Sequence, residues 1–134
     1  MKTIMRWLRK FYLKQSGLER ISPNDWLSYE EVKKIETIIP NSKVFGVADT
    51  GSMDGLMDFG HNAIGVDYFD INRLTDGDII IYQIGTKLIC HRIVEVHRDG
   101  AGPWYITQGD NCVDRDPFPV RAVQVKYIVV GIIF

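Results

Sequence analysis

Cysteine is scarce in this chain: Cys90 and Cys112 are the only two among 134 residues. Two thiols cannot build a disulfide framework, and no CxxC or HxxxH spacing offers a zinc site, so no metal or cofactor is called for. They read as buried or half-buried thiols in a reducing compartment. Long apolar runs are also missing. No stretch approaches the roughly 18 apolar residues of a membrane-spanning helix, and the longest, such as Tyr127 to Phe134, have the length of a strand. The N-terminus lacks the compact apolar core and small-residue cleavage site of a secretory signal. These absences lead us to expect a cytoplasmic protein, or part of a particle assembled there. A charge excess is absent too: the net charge is -1 and the pI near 6.3, without the basic balance of a nucleic-acid binder.

What is present suffices for one compact core. Hydrophobic residues make up 46% of the chain and charged residues 25%, and three Trp, six Tyr and six Phe argue against disorder. The length fits one domain with an extension. Residues 1–42 read as that extension, and as helical. Met1 to Lys14 places Ile4, Met5, Leu8, Phe11 and Tyr12 at near-helical spacing, with Lys2, Arg6, Arg9, Lys10 and Lys14 between them and no acid. A basic amphipathic helix suits packing on its own domain, contact with a membrane surface, or docking on a partner. Ser28-Tyr29-Glu30-Glu31 fits a capping box, in which Ser28 and Glu31 satisfy each other's backbone N–H. A helix is expected from Tyr29 to Ile38 or Ile39, ended by Pro40.

From Lys43 the pattern becomes that of strands. Val44, Phe45 and Val47 begin one, and Ala63 to Tyr68 and Asp78 to Gln83 follow. Lys87 to His97 alternates most clearly, with Leu88, Cys90, Arg92, Val94 and Val96 on one face and Ile89, His91, Ile93 and Glu95 on the other. Trp104 to Thr107 is another, and Val123 to Phe134 gives one long strand or two broken at Gly131. Consecutive strands with short turns predict a mainly β fold: a small coiled antiparallel sheet or barrel over residues 43–134.

Three short segments carry candidate chemistry. Thr50-Gly51-Ser52-Met53 can expose a serine on a tight turn, although Gly-Ser is a common turn dipeptide. In Ile89-Cys90-His91-Arg92-Ile93, His91 suits a hydrogen-bonded core position, or a base if a serine hydroxyl faces it. Gly109-Asp110-Asn111-Cys112-Val113-Asp114-Arg115-Asp116-Pro117 reads as a solvated acidic turn, or as an Asx-type turn at Asp110-Asn111. One of its carboxylates is alternatively the acceptor that orients a histidine. A calcium site on Asp110, Asp114 and Asp116 lacks the order and the closing Glu of an EF-hand.

Taken in order, these segments resemble the signal-peptidase type of serine peptidase, in its ER-type and SipW-like branch. The family pattern is matched by Thr50-Gly51-Ser52-Met53, by Gly77-Asp78-Ile79-Ile80-Ile81-Tyr82, by His91-Arg92, and by Gly109-Asp110-Asn111 with Asp116-Pro117. Pro117-Phe118-Pro119-Val120 and Val129-Val130-Gly131-Ile132-Ile133 are similar to its closing segments. LexA-like and bacterial signal peptidases share the fold but have Lys where His91 stands. The resemblance covers about residues 43–134. It implies the LexA/signal-peptidase fold, Ser52 as nucleophile, His91 as general base, and Asp116 as the third member with Asp110 as second choice. It also implies an oxyanion site from the Ser52 N–H and the Thr50 hydroxyl. The chain departs from the pattern at Asp54-Gly55, where Glu-Pro is usual, and at His61. No membrane helix is expected before the serine motif.

The leading expectation is a soluble serine endopeptidase that cleaves a partner polypeptide, at small-residue sites, or cleaves itself. The alternative is a catalytically idle structural or interaction module of the same fold, in a viral or phage particle for example. A DNA-linked regulator would need a helix-turn-helix in residues 1–42, where only a weak turn at Ser22-Pro23-Asn24 is available. No nucleic-acid partner is expected, and the oligomeric state is left open.

Overall fold

The computed structural model describes residues 27–48 and 50–133. The basic segment Met1 to Lys14, with its membrane-surface reading, and the turn at Ser22-Pro23-Asn24 lie outside them. The first described element is helix α1, Tyr29–Ile38. Its start is the expected capping box: Glu31 Oε2 accepts the Ser28 N–H at 2.8 Å, and Ser28 Oγ accepts the Glu31 N–H at 3.4 Å. Ile39 already has extended geometry before Pro40.

Seven strands follow: β1 Ser42–Gly46, β2 Asn62–Val66, β3 Ile79–Ile84, β4 Lys87–Asp99, β5 Gly102–Gln108, β6 Val120–Arg121 and β7 Val125–Ile133. All pairings are antiparallel, in the open order β1-β2-β7-β3-β4-β5-β6. The domain is therefore mainly β, and among the described residues it carries one α-helix. No helix among the described residues is long and apolar enough to cross a membrane.

The central strand β3 explains the continuous run Ile79-Ile80-Ile81-Tyr82, since both of its faces are covered. Ile80 and Tyr82 point into one cluster with Ile93, Tyr105, Val120 and Val125. Ile79 belongs to a second cluster with Met53, Met57 and Ala63. Met53 and Met57 come from the loop after β1, so apolar burial anchors the segment that carries Ser52.

Two strand expectations change in the structure. The final strand starts at Val125, because Ala122–Gln124 forms a 3-10 turn. Gly131 does not break it: Gly131 pairs with Ile64, whose Cδ1 would lie 3.3 Å from an added Cβ. In β4 the alternation is interrupted. Ile93 faces Thr107 but Glu95 faces Ile106, so Val94 is an extra, bulged residue.

Candidate active site

Register brings the polar groups of three neighbouring strands to one face. Ile80 of β3 lies opposite His91 of β4, and Ile93 lies opposite Thr107 of β5. Directly opposed residues share a face, so Tyr82, His91 and Thr107 project together. They converge on one oxygen of Asp116, in the loop between β5 and β6. Asp116 Oδ2 accepts hydrogen bonds from the Tyr82 hydroxyl at 2.9 Å and the Thr107 hydroxyl at 2.6 Å, and lies 2.6 Å from His91 Nδ1. The Asp116 N–H donates to the Thr107 carbonyl at 2.8 Å, which fixes the backbone of the acid as well.

This setting has clear electrostatic consequences. Burial pushes the Asp116 carboxyl toward neutrality, but the hydrogen bonds from His91, Thr107 and Tyr82, and the charge of His91, outweigh it and hold its pKa below the ordinary value of 3.8. An ionised Asp116 accepts the Nδ1–H of His91, which leaves the Nε2 lone pair to act as acceptor. Desolvation, despite the opposing hydrogen bond from Thr107, raises the Tyr82 hydroxyl well above its usual range, so it remains a donor.

Asp110 is placed elsewhere. The Arg92 guanidinium grips it with two bonds of 2.8 Å, while Nη1 of the same group donates to the Gly77 carbonyl at 2.7 Å. The fork therefore joins the turn before β3 to the turn after β5. The Asp110 hydrogen bond raises the Arg92 pKa further, against the effect of burial. The acids considered for calcium are thus divided, Asp110 to Arg92 and Asp116 to His91. Among the described residues no group of three or more His, Cys, Asp or Glu is arranged to hold a metal.

Ser52 sits on the turn after β1. Gly51 has a φ of 75°, a left-handed geometry that glycine adopts without strain. The next residue, Met53, is buried and accepts the Asp110 N–H on its sulfur at 3.2 Å. Asn111 clamps the turn from across the fold: its side-chain amide donates to the Gly51 carbonyl and its backbone N–H to the Ser52 carbonyl, each at 2.8 Å. Gly109 makes this approach feasible. A Cβ there would lie 2.6 Å from the Ser52 carbonyl oxygen, 2.8 Å from Cys112 Sγ and 3.1 Å from His91 Nε2.

Ser52 and His91 line a common groove of about 450 Å³ with Thr50, Phe45, Leu88 and Ile89 among its walls. Ser52 Oγ hydrogen-bonds to the exposed Thr50 hydroxyl at 3.4 Å, and no hydrogen bond joins it to His91 Nε2. Cys90 lines the same groove, and burial, followed by the Asp110 charge, pushes its thiol up to about 12. His61 closes its own turn, with Nδ1 accepting the Asp58 N–H at 3.0 Å and its backbone N–H donating to the Asp58 carbonyl.

Sequence reasoning set Tyr82, Gly109 and Asn111 within matched motifs but gave no part in the site to them or to Thr107. Tyr82 and Thr107 read as ordinary strand residues, and Asn111 as a local turn former. Compared with known proteins, the chain matches no family model and no curated protein.

Proposed function

We propose that the domain is a serine endopeptidase of the signal-peptidase type, with Ser52, His91 and Asp116 as its reactive residues. The hydrogen bond from His91 to a half-buried, ionised Asp116, beside a groove that also holds Ser52, carries this reading. The order of the motifs resembles that family and its LexA-type β fold. Ser52 Oγ attacks a peptide carbonyl carbon and its proton passes to His91 Nε2. His91 returns the proton to the leaving amine, and water then hydrolyses the acyl ester by the same route. Asp116 stabilises the imidazolium, while the Ser52 N–H and the Thr50 hydroxyl would receive the oxyanion. An extended polypeptide would enter by adding a strand at the β1 edge.

The test is digestion of a pool of tryptic peptides, read by mass spectrometry, with Ser52→Ala as control. New termini from the wild type and none from Ser52→Ala are expected. Identical cleavage by both proteins would remove Ser52 from the mechanism.

A second reading, an idle interaction module of the same architecture, is favoured by the bond from Ser52 Oγ to Thr50 rather than to His91. Hydrogen bonds of such sites often tighten only with substrate bound, so the two readings separate by activity. No cleavage by a folded wild type supports the module.

A further inference from the structure

Helix α1 meets the domain at one place that bears on the groove. Ile39, Pro40 and Asn41 link it to β1, and Ser42 Oγ donates to the Ile39 carbonyl at 2.6 Å, so α1 folds back beside the strand. From there the Glu36 carboxylate reaches over, and its Oε1 accepts the Val44 N–H at 3.2 Å. Its other oxygen lies 3.9 Å from Lys33 Nζ.

The Val44 N–H is an edge group. Strand β1 ends the sheet, with β2 on its inner side. Val47, in line with Phe45 and Lys43, sends its N–H inward to the His61 carbonyl. Alternation then turns the backbone groups of Ser42, Val44 and Gly46 outward. These are the groups a bound strand would pair with. Glu36 occupies the one at Val44, and the groove wall begins at the next residue, Phe45, and continues through Ala48 toward Ser52.

We propose that Glu36 of α1 closes the β1 edge at Val44, so that an added strand pairs only beyond it and must end or turn away within about six residues of the bond at Ser52, the spacing from Gly46 to Ser52. This rests on the peptidase reading above. It assigns the substrate as a polypeptide cut near a free terminus or a sharp turn, and makes Glu36 a residue that sets specificity by length.

The test uses the full chain, Glu36→Ala, and Glu36→Gln, which keeps an acceptor oxygen. Amide hydrogen exchange at Val44, followed by NMR without any peptide, should accelerate about tenfold or more in Glu36→Ala and stay near wild type in Glu36→Gln. The tryptic pool should yield wild-type products with a short piece, no longer than about six residues, on one side of the cut. Glu36→Ala should lengthen that piece, and Glu36→Gln should not. Unchanged Val44 exchange in Glu36→Ala overturns the edge contact. Faster exchange with unchanged product lengths overturns the length limit. Faster exchange with no cleavage by any of the three proteins refutes the peptidase reading, and the length limit with it, while leaving the edge contact standing.

Discussion

His91 Nδ1 lies 2.6 Å from Asp116 Oδ2, across 25 residues of sequence, and that oxygen also receives the hydroxyls of Tyr82 and Thr107. Three adjacent strands thus spend one side-chain donor each on a single carboxylate oxygen. The acid is held by more bonds than orienting a histidine needs, which makes its position insensitive to movement of the loop that carries it.

Asp116→Asn should therefore separate chemistry from architecture. The amide is neutral and stabilises an imidazolium poorly. In the Ser-His-Asp template the equivalent change costs about 10,000-fold in turnover with little change in structure. A loss of similar order is expected here in the peptide-pool digestion. Undiminished cleavage would take Asp116 out of the mechanism.

Gly109→Ala should damage the site through sterics alone. The new methyl would lie 2.6 Å from the Ser52 carbonyl oxygen, a backbone atom that cannot swing aside as a side-chain tip can. Moving either turn should cost about 1–3 kcal/mol and displace Ser52 relative to His91. Thermal unfolding and peptide cleavage should fall together. A melting curve identical to wild type would mean that the two turns are not packed as closely as described.

What the sequence revealed depended on the range of the interaction. The Ser28–Glu31 capping box is closed within one helical turn, and its residue types alone specify it. The isoleucines of β3 and the alternation of β4 up to Ile93 were also legible, because strand periodicity is local. The bulge at Val94 was not, because it exists only in the pairing of β4 with β5. For the same reason Asp110 and Asp116 could not be told apart by spacing. Arg92 and His91 are chain neighbours that point to opposite faces, and register against Gln108 and Ile80 decides which acid each meets. Asn111 read as a turn former, yet its amide bonds a carbonyl 60 residues away.

Arg92→Lys tests whether the fork matters. A single ammonium cannot reproduce two parallel bonds to Asp110 and a third to the Gly77 carbonyl. The pair is partly exposed, at 33% and 23% for the two side chains, so the stability cost should be modest, about 1 kcal/mol. Loosening of the Gly109–Asn111 turn should lower cleavage more than this cost suggests. Wild-type cleavage by Arg92→Lys would show that the clamp on Ser52 does not depend on it.

Cys90 should be unreactive although it lines the groove. With its thiol pushed up to about 12, only about one molecule in ten thousand carries the thiolate at about pH 8, against roughly a quarter for a free cysteine. In Cys112→Ser protein, where Cys90 is the sole thiol, iodoacetamide should label the folded chain far more slowly than the denatured one. Equal rates would show that the groove leaves Cys90 solvated.

Asp116 should also make the fold sensitive to acid. Its folded pKa lies below the ordinary 3.8 because the bonds from His91, Thr107 and Tyr82 outweigh the effect of burial. Between the two values the unfolded chain binds more protons than the folded one, so stability rises with pH there. The contribution is complete above about 3.8 and is lost as pH falls through the lower, folded value. Urea denaturation of wild type and Asp116→Asn, repeated from neutral pH downward, should show wild type more stable above that window. The gap should close within it, because the protonated acid and the amide are both neutral. A gap that stays constant to the lowest pH would mean that the three bonds to Asp116 do not favour its ionised form.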